Sequence, residues 1–204
     1  MREEIAGDIL KKFGTVAILA GGKSSRMGFD KQLIEFNGQN IVKRNAEKLK
    51  EKFDEIIVVT NNQQFYKDKE YIITIKDIIF QKGPLSGIHA ALKNSSSEYV
   101  YFLACDMPEI DLSFIDFMES KIDNEEIEIC IPKREGRLEL FNGFYNKGLI
   151  PRIEKLLDED ILAIRNLVYS SKSRIVEIEE GYGSDIFLNL NTQQDLKDYM
   201  IRRK

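Results

Sequence analysis

The chain is predicted to be an α/β protein, a three-layer sandwich with helices on both faces of a mostly parallel sheet. Apolar runs and amphipathic stretches alternate along nearly the whole sequence, the pattern that β-α-β units produce. The runs are apolar at successive residues rather than at every second one, as Tyr99-Val100-Tyr101-Phe102-Leu103-Ala104 shows. That fits strands covered on both sides. Between most of them lies enough chain for the crossover helix that two parallel strands require, with the right-handed sense expected.

Taken in order, residues 15–20, 55–60, 71–76 and 99–104 are the first four strands, and 128–131, 141–145 and 174–178 the later ones. Residues 40–53 set Ile41, Val42, Leu49 and Phe53 at helical spacing, and 84–93 opens on a proline with Leu85, Ile88, Ala91 and Leu92 on one side. Helical patterns over 114–122, 150–157, 161–168 and 192–203 complete the set. No repeat, low-complexity segment or long Pro/Gly/Ser linker interrupts them. One domain over 1–204 is expected, with 1–14 an amphipathic, charged extension before the first strand.

A hydrophobic fraction of 43% and a charged fraction of 31% are ordinary for a soluble globular protein. The net charge of −4 gives no support to wholesale nucleic-acid binding, so any phosphate recognition is local. Acids near the N-terminus stand where a signal peptide has a continuous apolar region, and no stretch is long and apolar enough to span a bilayer. Cys105 and Cys130 suit buried strands in a reducing compartment better than a disulfide or zinc framework. A cytoplasmic location is expected, without nucleic-acid or membrane partners.

The densest chemistry follows the first strand, in Leu19-Ala20-Gly21-Gly22-Lys23-Ser24-Ser25-Arg26-Met27-Gly28-Phe29-Asp30-Lys31. Its glycines let the backbone approach a bulky anion, and its N–H groups with Lys23, Arg26 and Lys31 can cradle a polyphosphate. Two other phosphate loops fail on spacing. Gly22-Lys23-Ser24 resembles the end of G-x-x-x-x-G-K-[ST], but the first glycine of that pattern falls on Ala17. In G-x-G-x-x-G the glycines alternate, whereas Gly21 and Gly22 are adjacent and the next is Gly28. A plain turn into a helix is the alternative for glycines alone.

Asp106 ends the fourth strand, on the rim where ligands bind in open α/β sheets. A carboxylate there can hold Mg²⁺ together with substrate phosphates, although strand-end aspartates also cap turns. Gly83-Pro84-Leu85-Ser86-Gly87 opens a helix, and Asn61 and Asp77 follow strands two and three on the same rim. These can read a base or ribose, or serve only as turn residues. Asn189 and Asn191, at alternate positions before the last helix, could face one pocket or merely cap locally. His89, the only histidine, lies in an apolar helical pattern and reads as structural.

Together these loops resemble the nucleotidyltransferases, whose motif L-A-G-G-x-x-x-R-M-G with a following lysine is matched at 19–31. Within them the chain resembles the molybdenum cofactor guanylyltransferases. It shares the asparagine after strand two, the aspartate after strand three, Gly-Pro-Leu-Ser-Gly, Cys-Asp-Met-Pro and Asn-Leu-Asn-Thr, from residue 15 to the last helix. The resemblance implies a Rossmann-like sandwich that transfers GMP from GTP to molybdopterin with Mg²⁺ and releases pyrophosphate. It implies that the Leu19-Ala20-Gly21 backbone meets guanine or ribose, Lys31 the phosphates, Asn61 and Asp77 the nucleoside, and Asp106 both nucleotide and Mg²⁺. Arg26, Lys31 and Asp106 are then the catalytic residues, and Asn189 and Asn191 lie on the pterin side. Cofactor-biosynthesis or molybdoenzyme maturation proteins are implied as further partners. Cytidylyl-transferring relatives typically show Ala-Gly where this chain has Gly21-Gly22, which favours GTP. The segment 134–145 resembles the family's pterin-side segment only loosely.

The expected reaction is an in-line displacement at the α-phosphorus, in which charge neutralisation and positioning matter more than a protein nucleophile. A transferase using CTP or a sugar-phosphate acceptor, or a non-catalytic nucleotide-binding module, would share much of this cradle.

Overall fold

A computed structural model of the chain describes residues 11–21, 30–77, 82–123, 126–179 and 184–203. Its centre is a mixed sheet built from β1 (Lys11–Leu19), β4 (Glu55–Val59), β5 (Ile72–Ile75), β6 (Ser97–Ala104), β7 (Ile129–Arg134), β8 (Arg137–Leu138), β9 (Gly143–Asn146) and β10 (Ser173–Glu177). The order is β10-β7-β9-β6-β1-β4-β5, with β8 added to β7. A separate two-stranded sheet pairs β2 (Glu35–Phe36) with β3 (Gln39–Asn40). The helices are α1 (Ile41–Leu49), α2 (Gly83–Asn94), α3 (Leu112–Ser120), α4 (Ile150–Asp158), α5 (Ile164–Tyr169) and α6 (Gln193–Arg202).

The continuous apolar runs divide between two cores, because successive side chains on a strand point to opposite faces. Val16, Ile18, Tyr99, Tyr101 and Leu103 pack with α1 and α3 residues such as Leu49, Phe114 and Met118. Ala17, Val100 and Phe102 pack with Leu85 and Ile88 of α2, Ile153 and Leu157 of α4, and Leu167 of α5. The expected three layers are thereby built. A small third cluster, Ile34, Ile41, Leu190 and Tyr199, ties α6 to the β2–β3 hairpin.

Strands β1, β4, β5 and β6 are parallel neighbours, as are β7 and β10. The departure from the parallel pattern is β9, antiparallel to both β6 and β7. Its residues are buried on both faces, so its apolar run carries no sign of direction. From β1 the chain moves outward to β4 and β5, then returns to β6 on the other side of β1. The order reverses there, and the crevice at the carboxyl ends of β1 and β6 is where such sheets bind ligands.

Several boundaries differ from expectation, among them α1, which ends at Leu49, α3, which begins at Leu112, and β9, which begins at Gly143. Strand β1 begins at Lys11 instead of residue 15, so residues 11–14 of the expected extension belong to the sheet. Phe13 packs 5.2 Å from the Tyr99 ring, Gly14 N donates to Ser97 Oγ at 3.0 Å, and the register shifts between Phe13 and Thr15. The β2–β3 hairpin turns on Asn37-Gly38, both at positive φ, as two-residue hairpin turns demand. Helix α5 starts at Ile164 instead of residue 161, because Ala163 ahead of it is extended, at φ −78° and ψ 123°, and serves as its N-cap.

Candidate active site

The carboxyl ends of β1 and β6 open on a cavity of about 370 Å³. Leu19, Ala20 and Gly21 form one wall, Ala104, Cys105 and Asp106 another, and Val59, Asp77, Gly83, Pro84 and Gly87 a third; Asp30, Lys31 and Phe141 complete it. The first wall is held rigidly: Ala20 N donates to Val59 O at 2.9 Å and Cys105 N donates to Leu19 O at 3.1 Å. A Cβ at Gly21 would meet Val59 O at 3.6 Å, an ordinary contact. Packing therefore does not demand glycine there, whereas a ligand approaching the backbone does.

Lys31 and Asp106 come together across this cavity. Lys31 Nζ donates to Asp106 Oδ2 at 2.7 Å and to Asn191 Oδ1 at 2.7 Å. Asp106 is placed by the end of β6 and by Leu190 N, which donates to its carbonyl at 2.8 Å. Its Oδ1 is buried without a hydrogen-bond partner among the described residues. A carboxylate oxygen kept from water without compensation is costly, which suits it to a cation. Among the described residues no group of three or more His, Cys, Asp or Glu side chains is placed to hold a metal. The donor set thus fits a metal that takes one or two carboxylates and draws its remaining ligands from phosphate and water.

Lys31 is positioned by its neighbour Gln32, which is buried. Gln32 Oε1 accepts from Thr60 Oγ1 at 2.8 Å, its Nε2 donates to Asp30 Oδ2, and Asn40 Nδ2 donates to its carbonyl at 2.7 Å. Asp30 also caps the 3-10 turn 31–33, accepting from Gln32 N at 3.2 Å. The end of β4 is thereby tied to the segment that carries Lys31.

The third wall is the start of α2. Gly83, at φ 71°, adopts the left-handed conformation that glycine tolerates, and the helix begins without a side-chain cap. Its N-terminal dipole end faces the cavity, a favourable place for an anion. Ser86 Oγ donates to Asp77 Oδ2 at 2.6 Å and fixes that carboxylate against the helix. Cys105 is a neutral thiol: burial, followed by the charge of Asp106, pushes its pKa up to about 12.

The structure therefore gathers Leu19, Ala20, Gly21, Lys31, Asp77 and Asp106 around one cavity and adds Asn191 through Lys31. Asn61 is exposed after β4 and is not among the residues lining that cavity. Asn189 and Asn191 diverge, since Asn189 Nδ2 donates to Phe187 O at 3.2 Å. Arg26 and Lys23 lie outside the described residues. His89 is buried in α2 with Nε2 2.9 Å from Glu154 Oε1, consistent with a structural role. Sequence reasoning assigned no role to Gln32, Asp30 or Phe141. Asp30 carried a cap signal before Lys31-Gln32-Leu33, and the Asn142-Gly143 pair after Phe141 signalled a turn.

Residues 16–174 match the model of the MobA-like NTP transferase domain. A protein from Peptoclostridium acidaminophilum, named probable molybdenum cofactor guanylyltransferase, is 41% identical over 98% of this chain and 93% of its own length. A molybdenum cofactor guanylyltransferase from Syntrophotalea carbinolica is 38% identical over 92% and 91%. The crystal structure of molybdopterin-guanine dinucleotide biosynthesis protein A from Archaeoglobus fulgidus superposes with a TM-score of 0.80, covering 93% of this chain and 98% of that one at 21% identity, a likeness of fold. The order of motifs, the crevice at the carboxyl ends of β1 and β6 and these relatives agree: the chain is a nucleotidyltransferase enzyme that belongs to the MobA-like NTP transferases, in the molybdenum cofactor guanylyltransferase family.

Proposed function

We propose that this enzyme transfers GMP from GTP to molybdopterin, forming molybdopterin guanine dinucleotide and pyrophosphate, with Mg²⁺ as its metal and the cytoplasm as its location. The observation that carries this reading is Lys31 Nζ held 2.7 Å from Asp106 Oδ2 at a cavity walled by the Leu19–Gly21 backbone. A cation and a carboxylate with an unused oxygen stand side by side where a polyphosphate meets an uncapped helix start. The names of the 41% and 38% identical relatives support guanylyl as the group transferred.

An oxygen of the acceptor's phosphate attacks the α-phosphorus of GTP. The new P–O bond joins the two phosphates, and the bond from the α-phosphorus to the β-phosphate bridging oxygen breaks, leaving its electron pair on pyrophosphate. No general base is needed, because the attacking phosphate is ionised near neutral pH, which accords with His89 being engaged elsewhere. Mg²⁺ held by Asp106 would supply positive charge to the phosphate oxygens. Lys31 orients the triphosphate and offsets charge on the departing pyrophosphate, a kind of contact whose loss costs about 2.7–4 kcal/mol. Arg26 adds a second cation in this reading. Leu19, Ala20, Gly21 and Asp77 bind the nucleoside within the cavity, and Asn61 meets it from the rim outside.

The test is pyrophosphate release from purified protein given molybdopterin, Mg²⁺ and each nucleoside triphosphate in turn. Release with GTP is expected. A preference for CTP would replace the guanylyl assignment, turnover only with a sugar phosphate would replace the acceptor, and no release with any donor would overturn the reading.

A further inference from the structure

Arg134, at the end of β7, carries an unmet need. Its Nε is buried and has no hydrogen-bond partner among the described residues. Its ion pair with Glu135 is long, at 3.7 Å, while its guanidinium lies over the Phe187 ring, Cζ 5.3 Å from the centroid. Buried donors are nearly always satisfied in native proteins, so one left unsatisfied among the described residues marks a place for a further partner.

The sheet register places Arg134 relative to the end of β6. Phe144 of β9 stands opposite Tyr101 of β6 on one side and Cys130 of β7 on the other. Both β6 and β7 run antiparallel to β9, so four residues further along each, Cys105 and Arg134 are level. Two strand spacings separate them, about 10 Å. Phe187, beneath the guanidinium, belongs to the segment whose Leu190 N–H donates to the Asp106 carbonyl at 2.8 Å. The cavity walls formed by Val59, Asp77 and Gly83 lie on the β4–β5 side of Asp106, and Arg134 lies on the β9–β7 side. With the nucleotide on the first side, the acceptor has the second.

We propose that Arg134 is an acceptor-binding residue, whose guanidinium donates to the carbonyl and ring-nitrogen acceptors of a planar heterocycle at the far end of the phosphate acceptor. Phe187 is the floor that keeps the guanidinium in place. A phosphate at Asp106 does not itself reach 10 Å along the sheet, so the group at Arg134 is the acceptor's remote end. The choice of heterocycle rests on the pterin acceptor proposed above.

Arg134→Met keeps bulk over Phe187 and removes the donors. With molybdopterin, the variant is expected to show an acceptor KM raised at least tenfold, with the GTP KM and melting temperature held. With a short alkyl phosphate that lacks a heterocycle, its rate relative to wild type falls far less. An unchanged acceptor KM, or equal losses with both acceptors, overturns the assignment. Fluorescence titration with a free oxidised pterin reads the same site without turnover: weaker binding by Arg134→Met is expected. Equal binding by both proteins, or no binding by wild type, overturns the proposal. Wild-type protein that binds the pterin yet releases no pyrophosphate from GTP overturns the guanylyl reading while leaving Arg134 in place.

Discussion

Lys31 Nζ lies 2.7 Å from Asp106 Oδ2, while the other oxygen of that carboxylate is buried without a hydrogen-bond partner among the described residues. The two side chains are only 22% and 13% exposed, so the pairing compensates charges that are largely withdrawn from water. The pair also joins the segment after β1 to the end of β6.

Replacing either partner therefore removes more than one charge. Lys31→Met and Asp106→Asn are each expected to slow pyrophosphate release at saturating substrates by about 10²–10³-fold. The double variant is expected to be slower by much less than the product of the two, because the residues act as a unit. Wild-type turnover in either folded single variant would remove the pair from the mechanism.

Asn191 Oδ1 accepts from Lys31 Nζ at 2.7 Å, and its own N–H is held by Asp195 Oδ2 at 2.9 Å through the α6 capping box. Hydrogen bonds to charged groups contribute about 1.5–3 kcal/mol, so Asn191→Ala is expected to lower kcat by roughly tenfold or more. Because Asn191 is exposed, its melting temperature should stay near wild type. A variant with full kcat and weaker acceptor binding would assign Asn191 to the acceptor instead.

Two glycines separate architecture from ligand contact. A Cβ on Gly143 would lie 2.5 Å from Cys130 O and 3.1 Å from Ile131 Cα, both β7 backbone atoms that cannot swing aside. Gly143→Ala is expected to destabilise by about 1–3 kcal/mol in denaturant unfolding. At Gly21 the corresponding contact is 3.6 Å, so Gly21→Ala should hold stability to within about 0.5 kcal/mol and weaken nucleotide binding. Equal stability of the two variants would contradict the packing argument.

Asp111 caps α3, accepting from Ser113 Oγ at 2.6 Å and Ser113 N at 2.9 Å. The Ser113 hydroxyl, followed by the backbone N–H groups, holds its carboxyl below the ordinary value of 3.8. A depressed folded-state pKa contributes stability above the unfolded value and loses it as pH falls through the folded one. Asp111→Ala should cost about 0.5–2 kcal/mol at pH 7, and the gap to wild type should narrow as pH drops below 3.8. A gap that stays constant through the range below 3.8 would mean that the charge on Asp111 contributes nothing.

Much of the rim was legible because glycines, strand-end carboxylates and helix starts leave local marks. Leu19, Gly21, Lys31, Asp77 and Asp106 were all marked in this way, and they line one cavity. Gln32 was not legible, since a glutamine buried against Thr60 and Asp30 looks the same in sequence as one on the surface. Nor was the divergence of Asn189 and Asn191, where alternate spacing implies a shared face only if the backbone stays extended.

The sequence by itself determined the layers, the strand-and-helix alternation and the residue types at the strand ends. Each follows from the polarity of near neighbours and from local backbone preference. Tertiary structure alone decided that β9 runs antiparallel between β6 and β7, and that Lys31 meets Asp106 and Asn191 across 75 and 160 residues of chain. A strand buried on both faces carries no mark of its direction, and contacts between distant residues depend on how the connections between strands return the chain to the sheet.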